Sequence, residues 1–170
     1  AVFTIFCITL CMRCIICWLL LVAVGFHSCD NTPRTELPFQ AFVTIPAGLN
    51  VGLSHNFNIF DVVGLNNTQL LDAQPRYVRL TVEYGEVNAD FIQQAFFYTV
   101  QDSVVQEVAY QTQLPINNAQ FAELFPSILN VSDHIQQAEF DMRLKLIFRS
   151  IPLTETRIRI DFAFTGILNE

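Results

Sequence analysis

The chain has 170 residues, of which 52% are hydrophobic and 15% are charged. This composition excludes an intrinsically disordered chain, which lacks the apolar side chains needed to offset the entropy lost on folding. The formal net charge is -7, from 16 acidic and 9 basic residues. Because such a chain repels phosphate backbones, nucleic acid is not an expected partner.

The N-terminal segment has the order of a secretory signal. Residues 14–26 are uncharged and mostly apolar, Arg13 precedes them, and the small residue Ser28 directly precedes Cys29. Export signals share this order of a positive charge, an apolar run and small residues. We therefore predict that residues 1–28 are a signal peptide or a membrane anchor. All five cysteines lie within the first 29 residues, so the exported domain is predicted to fold without disulfides.

Two other interpretations of this segment have less support. Residues 1–26 could form one uncleaved membrane helix, but Arg13 would then lie near the bilayer centre, at a cost of at least about 2.5 kcal/mol. Three cysteines, at positions 11, 14 and 17, have the spacing that begins some iron–sulfur sites. The fourth ligand of that pattern is missing, because Leu21 stands in its place.

The residues around Cys29 resemble the signal of a bacterial lipoprotein, in which a lipidated cysteine becomes the first mature residue. The segment SCDN at 28–31 is similar to signals of small Bacteroidetes lipoproteins, and TIPAGLN, QEVAY and RLKLIFR further along resemble their mature regions. The resemblance implies that Cys29 carries several acyl chains, each methylene contributing about 0.8 kcal/mol of membrane affinity. It also implies a location in the bacterial cell envelope, at the outer membrane, on its periplasmic or surface face.

The residues after the cysteine predict a short tether followed by a β-rich domain. Residues 29–38 are polar and contain two prolines, which suits an extended tether, and residues 39–170 are predicted to be the domain. Strand composition or alternation of apolar residues occurs at 39–45, 51–60, 77–84, 91–100, 103–111, 140–149 and 157–164. Between these segments we predict a loop over 64–75, a tight hairpin turn at Gln101 and Asp102, and helical turns over 118–125.

About seven strands with short turns and no long helix indicate an all-β fold. We predict an antiparallel β-sandwich, either Ig-like or jelly-roll-like, with a closed barrel as the alternative. The last two predicted strands, 140–149 and 157–164, each have one apolar and one charged face. We predict that these two strands pair with each other, with the apolar face on the core.

Three groups of polar residues could carry chemistry, and each has a simpler explanation. They are the triad types Ser132, Asp133 and His134, the acidic group Glu83, Glu86 and Asp90, and the carboxylates Glu139, Asp141 and Asp161. The triad types are adjacent, whereas a hydrolytic triad converges in space, so we expect turn or cap roles. The acidic group lacks the spacing of a calcium loop. The carboxylates of the third group are expected to pair with neighbouring arginines. We predict no catalytic residue, metal or cofactor.

The basic residues near the end of the chain are the candidate contact surface, provided that they share one face of the sheet. They are Arg143, Lys145, Arg149, Arg157 and Arg159. An ordinary solvated face is the alternative. We predict a membrane-anchored envelope lipoprotein with a non-catalytic binding or structural domain, whose partner is an envelope protein or a glycan. The alternative function is an envelope hydrolase acting on glycan or peptide, with carboxylates gathered from distant strands.

Lipidation can be tested by feeding cells a fatty-acid analogue and comparing the wild type with Cys29→Ala. We expect label on the wild-type protein and none on the variant, because the thioether and the acylated amine both belong to Cys29 in a lipoprotein. Equal labelling of the two proteins contradicts the prediction.

Overall fold

A computed structural model describes residues 33–60, 69–137 and 139–169. The predictions for residues 1–28 and for Cys29 lie outside these ranges. The strands are β1 (Thr35–Ile45), β2 (Gly52–Phe60), β3 (Gln69–Tyr84), β4 (Ile92–Gln101), β5 (Val104–Gln111), β6 (Phe121–Pro126), β7 (Glu139–Phe148) and β8 (Thr156–Asn169). The short helix α1 (Ser132–Ile135) precedes β7. Within the described ranges, no helix has the length and apolarity needed to cross a lipid bilayer.

The eight strands form one antiparallel sheet in the order β1-β8-β3-β6-β5-β4-β7-β2. The first strand pairs with the eighth, the second with the seventh, the third with the sixth and the fourth with the fifth. This is the pairing of a long antiparallel hairpin rolled up on itself, which is a jelly roll. The predicted all-β antiparallel fold is confirmed, and the strand order matches the jelly-roll variant.

The sheet consists of two halves that face each other. The first half-sheet is β1-β8-β3-β6 and the second half-sheet is β5-β4-β7-β2. Only the pairs Ala109↔Pro126 and Tyr110↔Phe125 join β5 to β6. On the other side, the edge strands β1 and β2 approach within 8 Å between Cα atoms. The sheet is therefore nearly closed around its core.

The core is a layer of inward side chains from both half-sheets, rich in phenylalanine. Strand β7 alternates buried and more exposed residues along its whole length, and this pattern was expected of a sheet with one face on the core. The ring of Phe97 on β4 lies 5.0 Å from that of Phe162 on β8. The ring of Phe39 on β1 lies 5.4 Å from that of Phe140 on β7. These contacts cross between the half-sheets and hold them together.

The predicted pairing of the last two strands is wrong. Strand β7 lies between β2 and β4 in the second half-sheet, whereas β8 lies between β1 and β3 in the first. The segment between Phe148 and Thr156 crosses from one half-sheet to the other. The alternation of apolar and polar residues shows which side chains of one strand share a face. It does not show which strands are neighbours, because two strands that face each other across the core have the same alternation as two strands that pair.

Two segments that were predicted as irregular or helical are strands. Residues 118–125 were expected to form helical turns, yet β6 occupies Phe121–Pro126, with Ala122 and Leu124 buried and their neighbours exposed. This alternation is a strand signal that the flanking prolines obscured. Residues 69–75 of the predicted loop over 64–75 belong to β3, which begins at Gln69 and accommodates Pro75 through an irregularity in its pairing with β8. The rest of that predicted loop lies outside the described residues.

Strand β1 begins inside the predicted tether of residues 29–38. It starts at Thr35 and pairs with β8 from the Thr35↔Gly166 pair onward. Leu37 is fully buried. Strand β1 thus starts four residues before residue 39, because Leu37 supplies an inward side chain that the polar composition of the segment concealed.

The predicted hairpin between β4 and β5 is confirmed, with its turn one residue later than expected. Gln101 and Val104 form the last pair, so Asp102 and Ser103 are the two turn residues. Their φ angles are 47° and 72°. Two positive φ values define the turn whose twist matches that of the flanking strands, and aspartate tolerates this conformation.

Replacing Phe162 by alanine tests the central role of the aromatic core. The side chain is fully buried, and we expect a loss of about 3–5 kcal/mol in the free energy of unfolding. The matched control Phe125→Ala removes a ring that is 59% exposed and is expected to cost about 1 kcal/mol or less. Urea unfolding followed by circular dichroism measures both. Equal losses in the two variants contradict the prediction.

Candidate functional site

The structure divides the predicted basic contact surface between opposite faces of the domain. Arg143 and Lys145 alternate with buried residues on β7, so they project outward from the second half-sheet. Arg157 and Arg159 alternate with buried residues on β8 and project outward from the first half-sheet. The condition of one shared face is not met, because β7 and β8 belong to different half-sheets.

The fifth basic residue, Arg149, has a structural role at the end of β7. Its Nη1 atom donates to the carbonyl oxygen of Asp90 at 2.7 Å, and its Nη2 atom donates to that of Leu114 at 2.6 Å. The side chain therefore connects two loops at one end of the domain. Hydrogen bonds from a charged donor are stronger than neutral ones, at about 1.5–3 kcal/mol each.

The outer face of the second half-sheet combines basic, amide and aromatic side chains. Arg143 Nε donates to Asn56 Oδ1 at 2.8 Å, and Lys145 Nζ lies 5.9 Å from the centre of the Phe96 ring. Tyr98 lies opposite Arg143 in the strand register. Burial raises the pKa of Tyr98 and the charge of Glu107 raises it further, whereas Arg143 lowers it.

The triad residue types lie in a local turn and short helix, and one of them is within hydrogen-bonding distance of a distant strand. The backbone N–H of Ser132 donates to Asn130 Oδ1 at 2.9 Å, which is the hydrogen bond of an Asx turn. His134 Nδ1 lies 3.0 Å from the hydroxyl oxygen of Thr99, a fully buried residue of β4. This contact attaches α1 to the second half-sheet.

The acidic residues at the end of β3 accept hydrogen bonds from loops and form ion pairs. Glu86 Oε1 accepts from the backbone N–H groups of Leu153 and Thr154 at 2.6 and 3.2 Å. Asp90 accepts from two backbone N–H groups of the loop before β6 at 3.2 and 3.1 Å. Glu83 pairs with two arginines of β8. In the ranges that the structure describes, no three His, Cys, Asp or Glu side chains are grouped so as to hold a metal ion.

The three carboxylates considered for glycoside hydrolysis are not brought together. Glu139 and Asp141 lie on β7, where Asn58 Nδ2 is 3.5 and 3.4 Å from them. Asp161 lies on β8 and accepts from Arg159 Nε at 2.9 Å. The first two project from the second half-sheet and the third from the first half-sheet. Asp161 therefore makes a surface ion pair, but with an arginine of its own strand and not with a cross-strand neighbour.

Two adjoining grooves lie on the outside of the domain, one on the first half-sheet and the other where β1 of that half-sheet meets β2. One has a volume of about 550 Å³ and is lined by residues 76–79 of β3, residues 123–126 of β6 and Asp161. The other has a volume of about 560 Å³ and is lined by residues 38–40 of β1, residues 58–60 of β2, Tyr77 and Asp161. Tyr77 and Asp161 thus border both grooves.

The strand register places a polar row across the first half-sheet beside these grooves. Gln40, Asp161, Arg79 and Glu123 lie side by side on β1, β8, β3 and β6. Gln40 Nε2 donates to Asp161 Oδ1 at 2.9 Å. Arg79 donates through Nε and Nη2 to Glu123 Oε1 at 3.1 and 2.5 Å. A neighbouring row contains Pro38, Ala163 and Tyr77.

Charges balance on this face although the chain is acidic. The paired residues are the arginines Arg76, Arg79, Arg157 and Arg159 and the carboxylates Glu36, Glu83, Glu123 and Asp161. The hydrogen bond and the charge of Asp161 raise the pKa of Arg159, and Glu83 adds to the effect. Sequence reasoning missed this face, because its rows depend on the register between strands that are distant along the chain.

A comparison with protein-family models and with curated proteins finds no match.

The pKa of Tyr98 tests the electrostatics around Arg143. We expect Arg143→Gln to raise this pKa further and Glu107→Gln to lower it, because the arginine favours the tyrosinate and the carboxylate opposes it. Tyrosinate absorbance during a pH titration measures both shifts, with Tyr98→Phe identifying the signal. Shifts of the same sign in the two variants contradict the prediction.

The raised pKa of Tyr98 also has a consequence for stability. The unfolded chain releases this proton near the ordinary value of 10.0, before the folded protein does. The contribution of Tyr98 to the free energy of unfolding is therefore present below about pH 10, and it is lost as the pH rises through the pKa that Tyr98 has in the folded protein. Tyr98→Phe should remove this part of the alkaline loss of stability, measured as the urea midpoint against pH.

Proposed function

We propose that this protein is a lipoprotein of the bacterial cell envelope, held at the outer membrane through Cys29, whose jelly-roll domain is a non-catalytic binding module. The observation that carries the proposal is the pair of adjoining grooves on and beside the charge-balanced outer face of the first half-sheet. We call this surface the groove face. It consists of the two grooves together with the polar row that lies across the four strands.

The size and the lining of the grooves support binding. Each groove has a volume within the range of about 300–1,000 Å³ that is common for ligand sites. Exposed aromatic rings stand around them, with Phe60 64% and Phe125 59% exposed. Exposed apolar side chains grouped together on a folded domain commonly mark an interaction surface.

The rigidity of the groove face also supports binding. Strands β8 and β3 are interior strands of the half-sheet and pair on both sides. The outward side chains are connected by hydrogen bonds and ion pairs, as between Arg79 and Glu123. A face that is ordered before binding loses less conformational entropy when the ligand arrives.

The anchor and the binding module together explain the organisation of the chain. The lipid on Cys29 would hold the domain at the membrane, and the groove face would hold an envelope macromolecule beside it. The fatty-acid labelling of Cys29→Ala tests the first part of this proposal.

Photo-crosslinking in intact cells tests the second part. A benzophenone amino acid is placed at Phe125, which borders a groove, or at the control position Val104, in the β4–β5 hairpin. Both positions are 59% exposed, so a different yield reflects location and not accessibility. We expect cross-linked envelope material from position 125 and little from position 104.

Equal yields from the two positions, or no adduct from position 125, would contradict binding by the groove face. The cross-linker reacts with C–H bonds of any class of molecule. The experiment therefore tests whether the face is occupied without assuming what occupies it.

A further inference from the structure

We infer that the groove face binds a neutral carbohydrate chain, with sugar units on either side of Tyr77. The inference rests on the proposed binding role of this face and specifies the chemical class of its ligand. It is argued from the aromatic side chain between the grooves, from the polar row beside it and from the balance of charge.

Tyr77 offers a platform for sugar rings. The side chain is 38% exposed and borders both grooves. The next two residues of its row, Ala163 and Pro38, have small apolar side chains that leave room beside the ring. The C–H groups on one face of a pyranose carry partial positive charge, and the face of an aromatic ring is negative. A sugar can therefore pack on Tyr77 while its hydroxyl groups point sideways toward the polar row.

The polar row supplies the hydrogen-bonding groups that hydroxyls require. A guanidinium has five N–H donors, and a carboxylate has about four acceptor sites. Arg79 uses two of its N–H groups for Glu123, and Asp161 accepts from Gln40 and from Arg159. These contacts fix the side chains and leave further donors and acceptors for a ligand. Since a hydroxyl both donates and accepts, it matches such a mixed row.

The balance of charge favours a neutral ligand. Each arginine that lines the grooves or lies beside them contacts a carboxylate, as Arg79 does with Glu123 and Arg159 with Asp161. An anionic ligand would gain little from arginines whose charge is already neutralised, and the acidic chain as a whole would repel it. A cationic ligand would likewise gain little from carboxylates that already contact arginines. A neutral polyol can add its hydrogen bonds without breaking these pairs.

A peptide bound by strand pairing does not fit between the edge strands. Neighbouring strands lie about 4.8 Å apart, so an inserted strand would need a gap of about 9.6 Å. Strands β1 and β2 already approach within 8 Å between Cα atoms.

The second groove borders the junction of β1 and β2 and is lined by Gln40, Asn58 and Phe60 among others. Two adjoining grooves along one face suit a polymer better than a single sugar.

The test is a binding measurement on the full-length protein in detergent micelles. The neutral probes are the hexaoses of β-1,4-glucan, α-1,4-glucan, β-1,4-mannan and chitin, and the anionic probe is a polygalacturonate of matched length. Isothermal titration calorimetry gives the dissociation constants. We expect at least one neutral hexaose to bind and polygalacturonate to bind more weakly than that hexaose.

Variants of two tyrosines on β3 locate the site. Tyr77→Ala is expected to weaken binding roughly five- to tenfold, and Tyr77→Phe to keep it within about twofold, because the ring supplies the contact. Tyr84→Ala is the matched control, since Tyr84 is 49% exposed on the same strand and borders neither groove. Urea unfolding confirms that each variant is folded.

Several results would overturn the inference. They are equal affinity of Tyr77→Ala and Tyr84→Ala, preference for polygalacturonate, and no neutral hexaose bound more tightly than about 1 mM. If the neutral probes fail while position 125 still cross-links to an envelope protein, the carbohydrate inference falls and the proposed function stands. If both experiments fail, the proposed function falls as well.

Discussion

The aromatic contact across the core is the interaction on which the rest of this structure depends. Backbone hydrogen bonds hold each half-sheet together, but only two residue pairs join β5 to β6. The packing of Phe162 against Phe97 and of Phe39 against Phe140 is what keeps the half-sheets face to face. Aromatic pairs contribute about 0.5–1.5 kcal/mol beyond the burial of their area, so this cluster also fixes how the half-sheets are positioned.

The groove face follows from that constraint. Once Ile160 and Phe162 point into the core, the residues between and beside them on β8, including Asp161, must point outward. Pairing with β1 and β3 then sets Asp161 beside Gln40 and Arg79. The outer polar row is therefore a consequence of inner packing and strand register. The arginines and carboxylates of the whole outer face of the first half-sheet neutralise one another, which leaves a hydrogen-bonding surface without a strong net field.

The sequence carried enough information for the fold class and for most strands. Alternation marked β7 and β8 clearly, and the hairpin at Asp102 and Ser103 was within one residue of its place. The same alternation could not assign neighbours, since β7 and β8 satisfy the pattern from opposite sides of the core. Strand β6 was missed because its burial pattern extends over only six residues and is flanked by prolines.

The candidate site was harder to predict than the fold. The basic residues would share one face if the last two strands were paired as predicted, but Arg143 and Arg159 lie on different half-sheets. The grooves combine β1, β2, β3, β6 and β8, whose proximity comes from rolling up the whole chain. No local pattern contains that information. The sequence predicts that ion pairs form on the surface, because carboxylates and arginines alternate with core residues. The pair of Arg159 with Asp161 is an example.

The roll also brings the beginning and the end of the domain together, because Thr35 pairs with Gly166. This has a mechanical consequence for a domain that is pulled by its two ends. The force would act at the terminal residue pair of the β1–β8 ladder, perpendicular to the strands. It would break the hydrogen bonds of one residue pair after another. The hydrogen bonds would not share the load as they do when strands slide past each other. The domain is therefore expected to yield at low force along this line, with β1 detaching first.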